Sequence, residues 1–233
     1  MQKKVKNIIA IIPARGGSKR IPNKNIKLFF GMPILGRTIL KLKKTKLFKE
    51  IYVSTDSKKI AKIAQKYGAK VPYYRSKKLS DNFTSTQKVI QDMINFLNKK
   101  TINSSYVCCV YPTAFNINSK DIKLGLKKIK RNCDFVITAS KFSSPPQRGF
   151  AIRKNSLRMK SPKSYNKRTQ DLETIFFDAG QFYWGKTKSW LRKKLVFNKY
   201  CKAILIPNWR VHDIDTKEDW KKAELIFKMN KRK

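Results

Sequence analysis

The segment Ile9-Ala10-Ile11-Ile12-Pro13-Ala14-Arg15-Gly16-Gly17-Ser18-Lys19-Arg20-Ile21-Pro22-Asn23-Lys24-Asn25-Ile26-Lys27 turns abruptly from an apolar run into a cationic loop. Ile8 to Ile12 is too short for a core helix and rich in β-branched residues, so it reads as a central buried strand. Gly16-Gly17 at its end frees the backbone to take positive φ and to come close to a ligand. Arg15, Lys19, Arg20 and Lys24 bring positive charge to the same place. A strand, then glycines, then converging cations is the pattern of a polyphosphate cradle; the competing reading is a basic surface loop. The loop lacks G-x-x-x-x-G-K-[ST] and G-x-G-x-x-G, so it supports neither a P-loop ATPase nor a dinucleotide-binding dehydrogenase.

Outward from this loop, helical and strand patterns alternate. Ile34, Leu35, Ile39, Leu40 and Leu42 give a helix face after Pro33, which suits a first turn. Glu50 to Asp56 reads as a second strand, and Ser57 to Tyr67 as a helix capped by Asp56 or Ser57 and stopped at Gly68. A short third strand is expected at Val71 to Tyr74 and a helix from Phe83 to Leu97. Ser105 to Tyr111 reads as a fourth, buried strand, Lys120 to Lys130 as a helix, and Asp134 to Ala139 as a fifth strand. Further strands are expected at Phe182 to Gly185 and Ala203 to Pro207, and a last helix at Lys217 to Lys228. The alternation predicts an α/β, three-layer Rossmann-like fold with a mostly parallel sheet. Ligands in such sheets lie beyond the carboxyl ends of the strands. Only Ser143 to Glu173 breaks the pattern. It carries three prolines and no clear helix, and its weak alternation predicts two short antiparallel strands near 150–152 and 157–159 with a turn at 154–156. A loop-rich stretch of this length implies a function or an interface.

With 233 residues the chain can bury a full core, and residues 1–233 read as a single domain. No apolar run reaches the roughly 18 residues of a membrane span. The basic start Met1 to Lys6 is followed by only a short apolar run and no small-residue cleavage site, so a cytoplasmic protein is expected. Cys108, Cys109, Cys133 and Cys201 form no C-x-x-C pair, and with one histidine a zinc site is not expected; reduced thiols are expected. The net charge is +41, from 55 Lys+Arg against 14 Asp+Glu, which raises nucleic-acid binding as a function class. The cations are spread along the chain, mostly as lysine, without an Arg-rich tract or an RNP-type aromatic motif. Solvated lysine faces that draw in anionic substrates are the preferred reading.

Three further constellations carry chemistry. In His212-Asp213-Ile214-Asp215-Thr216, an extended backbone puts both carboxylates on one face, a pair suited to Mg²⁺ shared with substrate phosphates. The alternative is that Asp215 or Thr216 caps the last helix, and His212 reads as a packed or surface residue. Arg75 with Leu79 to Thr86 supplies a cation, a carboxylate and hydroxyls suited to a nucleobase and ribose, although Ser80 or Asp81 would also serve as a helix cap. In Phe177 to Gly185, a Gly-Gln step before aromatics presents an amide to a sugar or builds aromatic core; neither reading prevails from the residues alone.

Together, I-I-P-A-R-G-G-S-K-R-I-P-N-K-N, V-S-T-D-S, R-S-K-K-L-S-D-N-F-T-S-T, Y-P-T-A and D-I-D-T-K-E-D-W, in this order over residues 7–225, resemble the acylneuraminate cytidylyltransferases, the CMP-sugar-acid synthetases. The F-D-A-G-Q-F-Y-W segment is most similar to the pseudaminic acid branch. The resemblance implies transfer of CMP from CTP, with Mg²⁺, to the anomeric hydroxyl of a nine-carbon nonulosonic acid, releasing pyrophosphate for surface-glycan synthesis. The acceptor implied is pseudaminic acid, with N-acetylneuraminate, legionaminic acid and Kdo as alternatives; a nucleic-acid-binding protein on a degenerate scaffold is the alternative of another class. It places Ala14, Arg15, Gly16, Ser18, Lys19, Lys24 and Asn25 on the triphosphate, and Arg75, Ser80, Asp81 and Thr86 on the cytidine side. It places Tyr111, Thr113, Gln181 and Phe182 at the sugar and Asp213 and Asp215 on the metal, with Lys24, Arg15 and Asp215 catalytic. Sialate members carry glutamine where Tyr111 stands, and related chains carry an acid where Asn82 stands. The resemblance also implies a homodimer in which residues 143–173 form the dimerisation insertion, bringing Arg148, Lys160, Lys163, Lys167 and Arg168 towards the partner's substrate.

Overall fold

In a computed structural model, which describes residues 7–129, 133–192 and 196–231, the opening apolar run forms strand β1 (Ile8–Pro13). The loop after it leads into a minute hairpin, β2 (Leu28–Phe29) and β3 (Met32–Pro33). Helix α1 (Ile34–Lys44) follows, burying Leu35, Ile39 and Leu42 at helical spacing. Strand β4 (Glu50–Ser54) leads to α2 (Lys58–Lys66), whose cap is the Ser57 hydroxyl accepting from the Ile60 N–H. Gly68 ends that helix at φ 84°, the left-handed turn that glycine takes without strain.

Helix α3 (Thr86–Lys99) buries Val89, Ile90, Met93, Ile94 and Leu97. Then come β5 (Tyr106–Val110), α4 (Ser119–Lys128) and β6 (Phe135–Lys141). The irregular stretch contains the hairpin β7 (Phe150–Arg153) and β8 (Ser156–Met159), as expected. Its two turn residues, Lys154 and Asn155, both have positive φ, the turn geometry that matches strand twist. The chain closes with β9 (Phe176–Lys186), α5 (Thr187–Leu191), β10 (Cys201–Leu205) and α6 (Lys217–Lys231).

The six-stranded sheet has the order β10-β6-β9-β5-β1-β4. All pairings are parallel except those of β9, which runs antiparallel to both β5 and β6. One face packs on α1, α2 and α4 through residues such as Ile12, Cys108 and Trp184. The other packs on α3 and α5 through Ile11, Cys109 and Trp190. Cys108 and Cys109 thus point to opposite faces, as a strand requires, and all four cysteines are free. Among the described residues, no helix is long and apolar enough to cross a membrane.

Three expectations need correction. Val71 to Tyr74 is not a strand: only the isolated bridges Tyr52–Lys70 and Thr55–Tyr74 form, and Pro72 has no N–H to continue a ladder. Helix α3 starts at Thr86 rather than Phe83, because the Asp81 carboxylate takes the N–H groups of Phe83 and Thr84 into a turn and Ser85 caps the helix. The strand expected at Phe182 begins earlier, at Phe176. The N-terminal run Met1 to Lys6, the expected helix end at Lys130 and the tail at residues 232–233 lie outside the described residues.

A β-carbon added to Gly185, near the end of β9, would overlap the Trp190 indole and come within 2.8 Å of Phe135. Trp190 cannot yield freely, since its Nε1 donates to the Val107 carbonyl at 3.2 Å. Gly185→Ala is therefore expected to lower stability by about 1–3 kcal/mol. Urea denaturation measures this, and an unchanged midpoint would show that the indole moves without cost.

Candidate active site

A cleft of about 630 Å³ opens at the carboxyl ends of β1 and β5, beside β9. A smaller chamber of about 240 Å³ adjoins it, sharing Pro13, Arg15, Asn82 and Tyr111 as common wall. The position is the one parallel-sheet geometry assigns to ligands.

The loop after β1 forms one wall. Its shape comes from inside: Ile21 is buried in a small cluster with Phe29, Ile34, Phe115, Ile214 and Trp220. The N–H of Gly16 donates to Asp56 Oδ1 at 2.8 Å, and Asn25 Nδ2 donates to the Arg15 carbonyl at 2.9 Å. Arg15, Ser18, Lys19, Arg20, Lys24 and Asn25 consequently line the cleft. Ala14 is fully buried and Gly16 is turned to Asp56, so these two support the loop rather than face the cleft.

The aspartate pair stands opposite. Ile214 is wholly buried, and this fixes its two neighbours to project the other way, into the cleft. Lys24 Nζ donates to the Ile214 carbonyl and to Asp215 Oδ1 at 3.0 Å, while Arg20 reaches Asp215 Oδ2 at 2.7 Å. Asp213 has no hydrogen bond or ion pair to any described residue, and desolvation, reinforced by Asp215, holds its carboxyl above the usual carboxylate range. No group of three or more His, Cys, Asp or Glu among the described residues could cage a metal unaided. An unpaired carboxylate beside a second one does fit a hard divalent cation that takes its remaining ligands from phosphate. Of the two helix caps considered, Thr216 takes the role: its Oγ1 accepts from the Asp219 N–H at 3.1 Å, and Asp219 in return accepts from the N–H groups of Thr216 and Asp215, which leaves the Asp215 carboxylate to the cleft.

In the smaller chamber, Arg75 is 5% exposed and burial lowers its pKa, opposed by Asp56. Its Nε donates to Ser80 Oγ at 3.0 Å and its Nη1 to Ser54 Oγ at 3.4 Å. Ser80 therefore holds Arg75 and does not itself line either space. Asp81 and Thr86 do line the chamber, but the Asp81 carboxylate is engaged in its own turn. The Asp81 carbonyl accepts from Arg15, which ties this loop to the first. Thr86 Oγ1 lies 3.1 Å from the Tyr111 hydroxyl.

On the third wall, Tyr111 and Thr113 face the cleft as expected, whereas Gln181 and Phe182 do not. Phe182 is fully buried in the core with Trp184, and Gln181 donates its amide to the Arg210 carbonyl. The correction has a local cause. The register of β6 and β9 shifts between Ile137 and Ala139, with Gly180 at φ 57°. That bulge turns Asp178, Gly180 and Tyr183 to the cleft instead. Strand alternation alone could not find them; the glycine within a strand pattern was the available signal. His212 does not reach the cleft: it stacks on Phe115 with ring centres 5.2 Å apart and bonds Asn116.

Cations facing an acidic pair at the carboxyl edge of a mostly parallel sheet have the chemistry that suits a polyphosphate and a divalent ion. Comparison with known proteins gives the class a family. The family model described as cytidylyltransferase matches residues 9–180. The chain is 39% identical over 224 residues to pseudaminic acid cytidylyltransferase of Campylobacter jejuni, covering 95% of this chain and 97% of that one. It is 32% identical to CMP-N,N'-diacetyllegionaminic acid synthase of Legionella pneumophila, covering 96% and 97%. Among solved structures, CMP:2-keto-3-deoxy-manno-octonic acid synthetase complexed with CTP shares the fold at TM-score 0.71 and 14% identity, over 96% of this chain and 99% of that one. The chain belongs to the cytidylyltransferase family.

His212 offers a clean test of this packing, being the single histidine. Burial, with Lys222 adding to it, lowers its pKa to about 4. The folded state favours the neutral ring, so stability should fall as pH drops from the unfolded value near 6.5 towards 4 and be level in this respect above it. An NMR titration should place the ring's midpoint near 4; a midpoint near 6.5 would mean that the ring is solvated.

Proposed function

We propose that this chain transfers CMP from CTP to the anomeric hydroxyl of a nonulosonic acid, pseudaminic acid foremost, with release of pyrophosphate for surface-glycan synthesis. The observation that carries the reading is the cleft, in which Lys24 bridges a cationic loop and the Asp213/Asp215 pair. Identity to the C. jejuni enzyme along nearly the whole of both chains supports the choice of acceptor. Legionaminic acid is the second acceptor, from the likeness to the L. pneumophila synthase.

The chemistry divides among the residues as follows. CTP lies with its base and ribose in the chamber of Arg75 and Thr86 and its phosphates against Arg15, Ser18, Lys19, Lys24 and Asn25. The sugar hydroxyl forms a bond to the α-phosphorus, and the bond from that phosphorus to the bridging oxygen of pyrophosphate breaks. The electron pair leaves with pyrophosphate, and the hydroxyl proton passes to a carboxylate of the aspartate pair. Lys24, Arg15 and Lys19 meet the charge that grows on the leaving phosphates. Asp213 and Asp215 would hold Mg²⁺, which when bound neutralises phosphate charge. Arg20 and Lys24 bond Asp215, which keeps both cations at the edge of the space assigned to the phosphates. The proposal includes a single cytoplasmic nucleotidyltransferase domain that pairs as a homodimer through residues 143–173, where Phe150, Ile152 and Leu157 of the hairpin are exposed.

The experiment is a panel of sugar acids incubated with CTP and Mg²⁺, following pyrophosphate. Release is expected with a nonulosonic acid and in no control lacking acceptor or metal; its absence with every sugar acid would overturn the reading. Lys24→Ala should lower kcat by roughly 10²–10³, the typical loss of one preorganised charge at such a centre. A change confined to KM would instead assign Lys24 to uniform binding. Asp215→Ala should abolish turnover in a folded protein, and near-normal activity would remove its metal role.

A further inference from the structure

Asp178 and Tyr183 are five residues apart on β9. In a regular strand an odd separation puts side chains on opposite faces. Here the Tyr183 hydroxyl donates to Asp178 Oδ2, and both residues line the cleft. The bulge makes this possible. Asp178 is paired with Ala139 and Tyr183 with Ile137, so four residues of β9 oppose Thr138 alone. The buried Thr138 hydroxyl holds them, accepting from the N–H groups of Gln181 at 3.2 Å and Phe182 at 3.4 Å. Gly180 takes φ 57°, and its N–H donates to Asp178 Oδ1 at 3.0 Å. Each Asp178 oxygen thus has one donor from the protein and a further lone pair to offer.

Behind it, Tyr183 is 6% exposed and packs edge-to-face on Tyr111 with ring centres 5.6 Å apart; Tyr111 in turn meets Thr86. The Asp178 carboxylate is therefore oriented by a supported arrangement at the acceptor end of the cleft, and the transfer chemistry makes no use of it. Its charge is wrong for phosphate or for a substrate carboxylate. It suits a hydrogen-bond donor.

We propose that Asp178, held by Tyr183 and Gly180, is a specificity-determining residue that accepts a hydrogen bond from an O–H or amide N–H of the acceptor sugar, away from the sugar's carboxylate. The inference rests on the transferase reading given above and names what the acceptor must present. It also assigns the bulge a purpose: without it, Asp178 and Tyr183 would face opposite layers. A sugar acid with a hydrogen or a second anion at that place would be rejected, because the carboxylate would be left unpaired or repelled.

The test compares the wild type with Asp178→Asn and Tyr183→Phe, using pseudaminic acid and analogues in which one hydroxyl or amide donor at a time is replaced by hydrogen. Asp178→Asn should raise KM for the intact acceptor roughly 10- to 100-fold, the range for a hydrogen bond to a charged group, and leave KM for CTP within about twofold. One analogue should bind wild type and variant equally, identifying the donor. Tyr183→Phe removes only a hydroxyl and should raise the acceptor's KM about 2- to 10-fold; it carries the test if Asp178→Asn does not fold. An unchanged acceptor KM in the folded variants, or a loss confined to kcat, would overturn the inference while the transferase reading stands. A wild type inactive on every sugar acid would overturn both.

Discussion

The two ends of the molecule meet at Lys24, whose ammonium bonds the Ile214 carbonyl and the Asp215 carboxylate across 190 residues of sequence. Much of the site depends on this contact. It joins the loop that follows the first strand to the segment that precedes the last helix. The apolar part of the same closure is the burial of Ile21 with Ile214 and Trp220. Ordering so distant a pair costs chain entropy that one partly exposed ion pair would not offset. The hydrophobic cluster supplies the attachment, and the charges set the orientation within it. Four cations close together repel one another, and Asp215 relieves that repulsion for Arg20 and Lys24. The charges of the loop are thus partly balanced by the site's own carboxylate.

The net charge of +41 takes its meaning from this distribution. The cleft is not uniformly basic, since Asp178, Asp213 and Asp215 line it along with the cations. The lysines elsewhere raise the encounter rate with anionic substrates and make it fall with ionic strength.

The fold was legible because each element carried its own period. Leu35, Ile39 and Leu42 mark one helix and Val89, Met93 and Leu97 another. The loop and the aspartate pair were legible for a different reason: their chemistry is contiguous in sequence, and Ile214 between two aspartates needs only an extended backbone to present both. What escaped was whatever depends on pairing between strands. Nothing in the composition of Phe176–Lys186 states that it runs antiparallel to its neighbours. The bulge opposite Thr138 reverses the facing of its residues, so Gln181 and Phe182 were assigned to a cleft that Asp178 and Tyr183 occupy. Val71 to Tyr74 has strand-like residues, but Pro72 removes the donor that a ladder would need. At Phe83, the hydrophobic side chain suggested helix, and the Asp81 turn prevailed.

Strand β9 also sets the order in which the molecule can be completed. Among the described strands it alone lies between β5 and β6, so β6 stands apart from β4-β1-β5 until residue 186 is in place. A ribosome delivers the first five strands of the chain, and β6 after them, well before that point. During this interval the edge of β5 and both edges of β6 carry unpaired backbone groups on apolar strands, surfaces that invite pairing with another chain. Burial of Phe182, Trp184 and Trp190 follows only when β9 and α5 arrive. The strand that shapes the acceptor wall is thus the one whose late arrival converts two sticky fragments into a single sheet, and nascent chains stalled before it would be clients for chaperones.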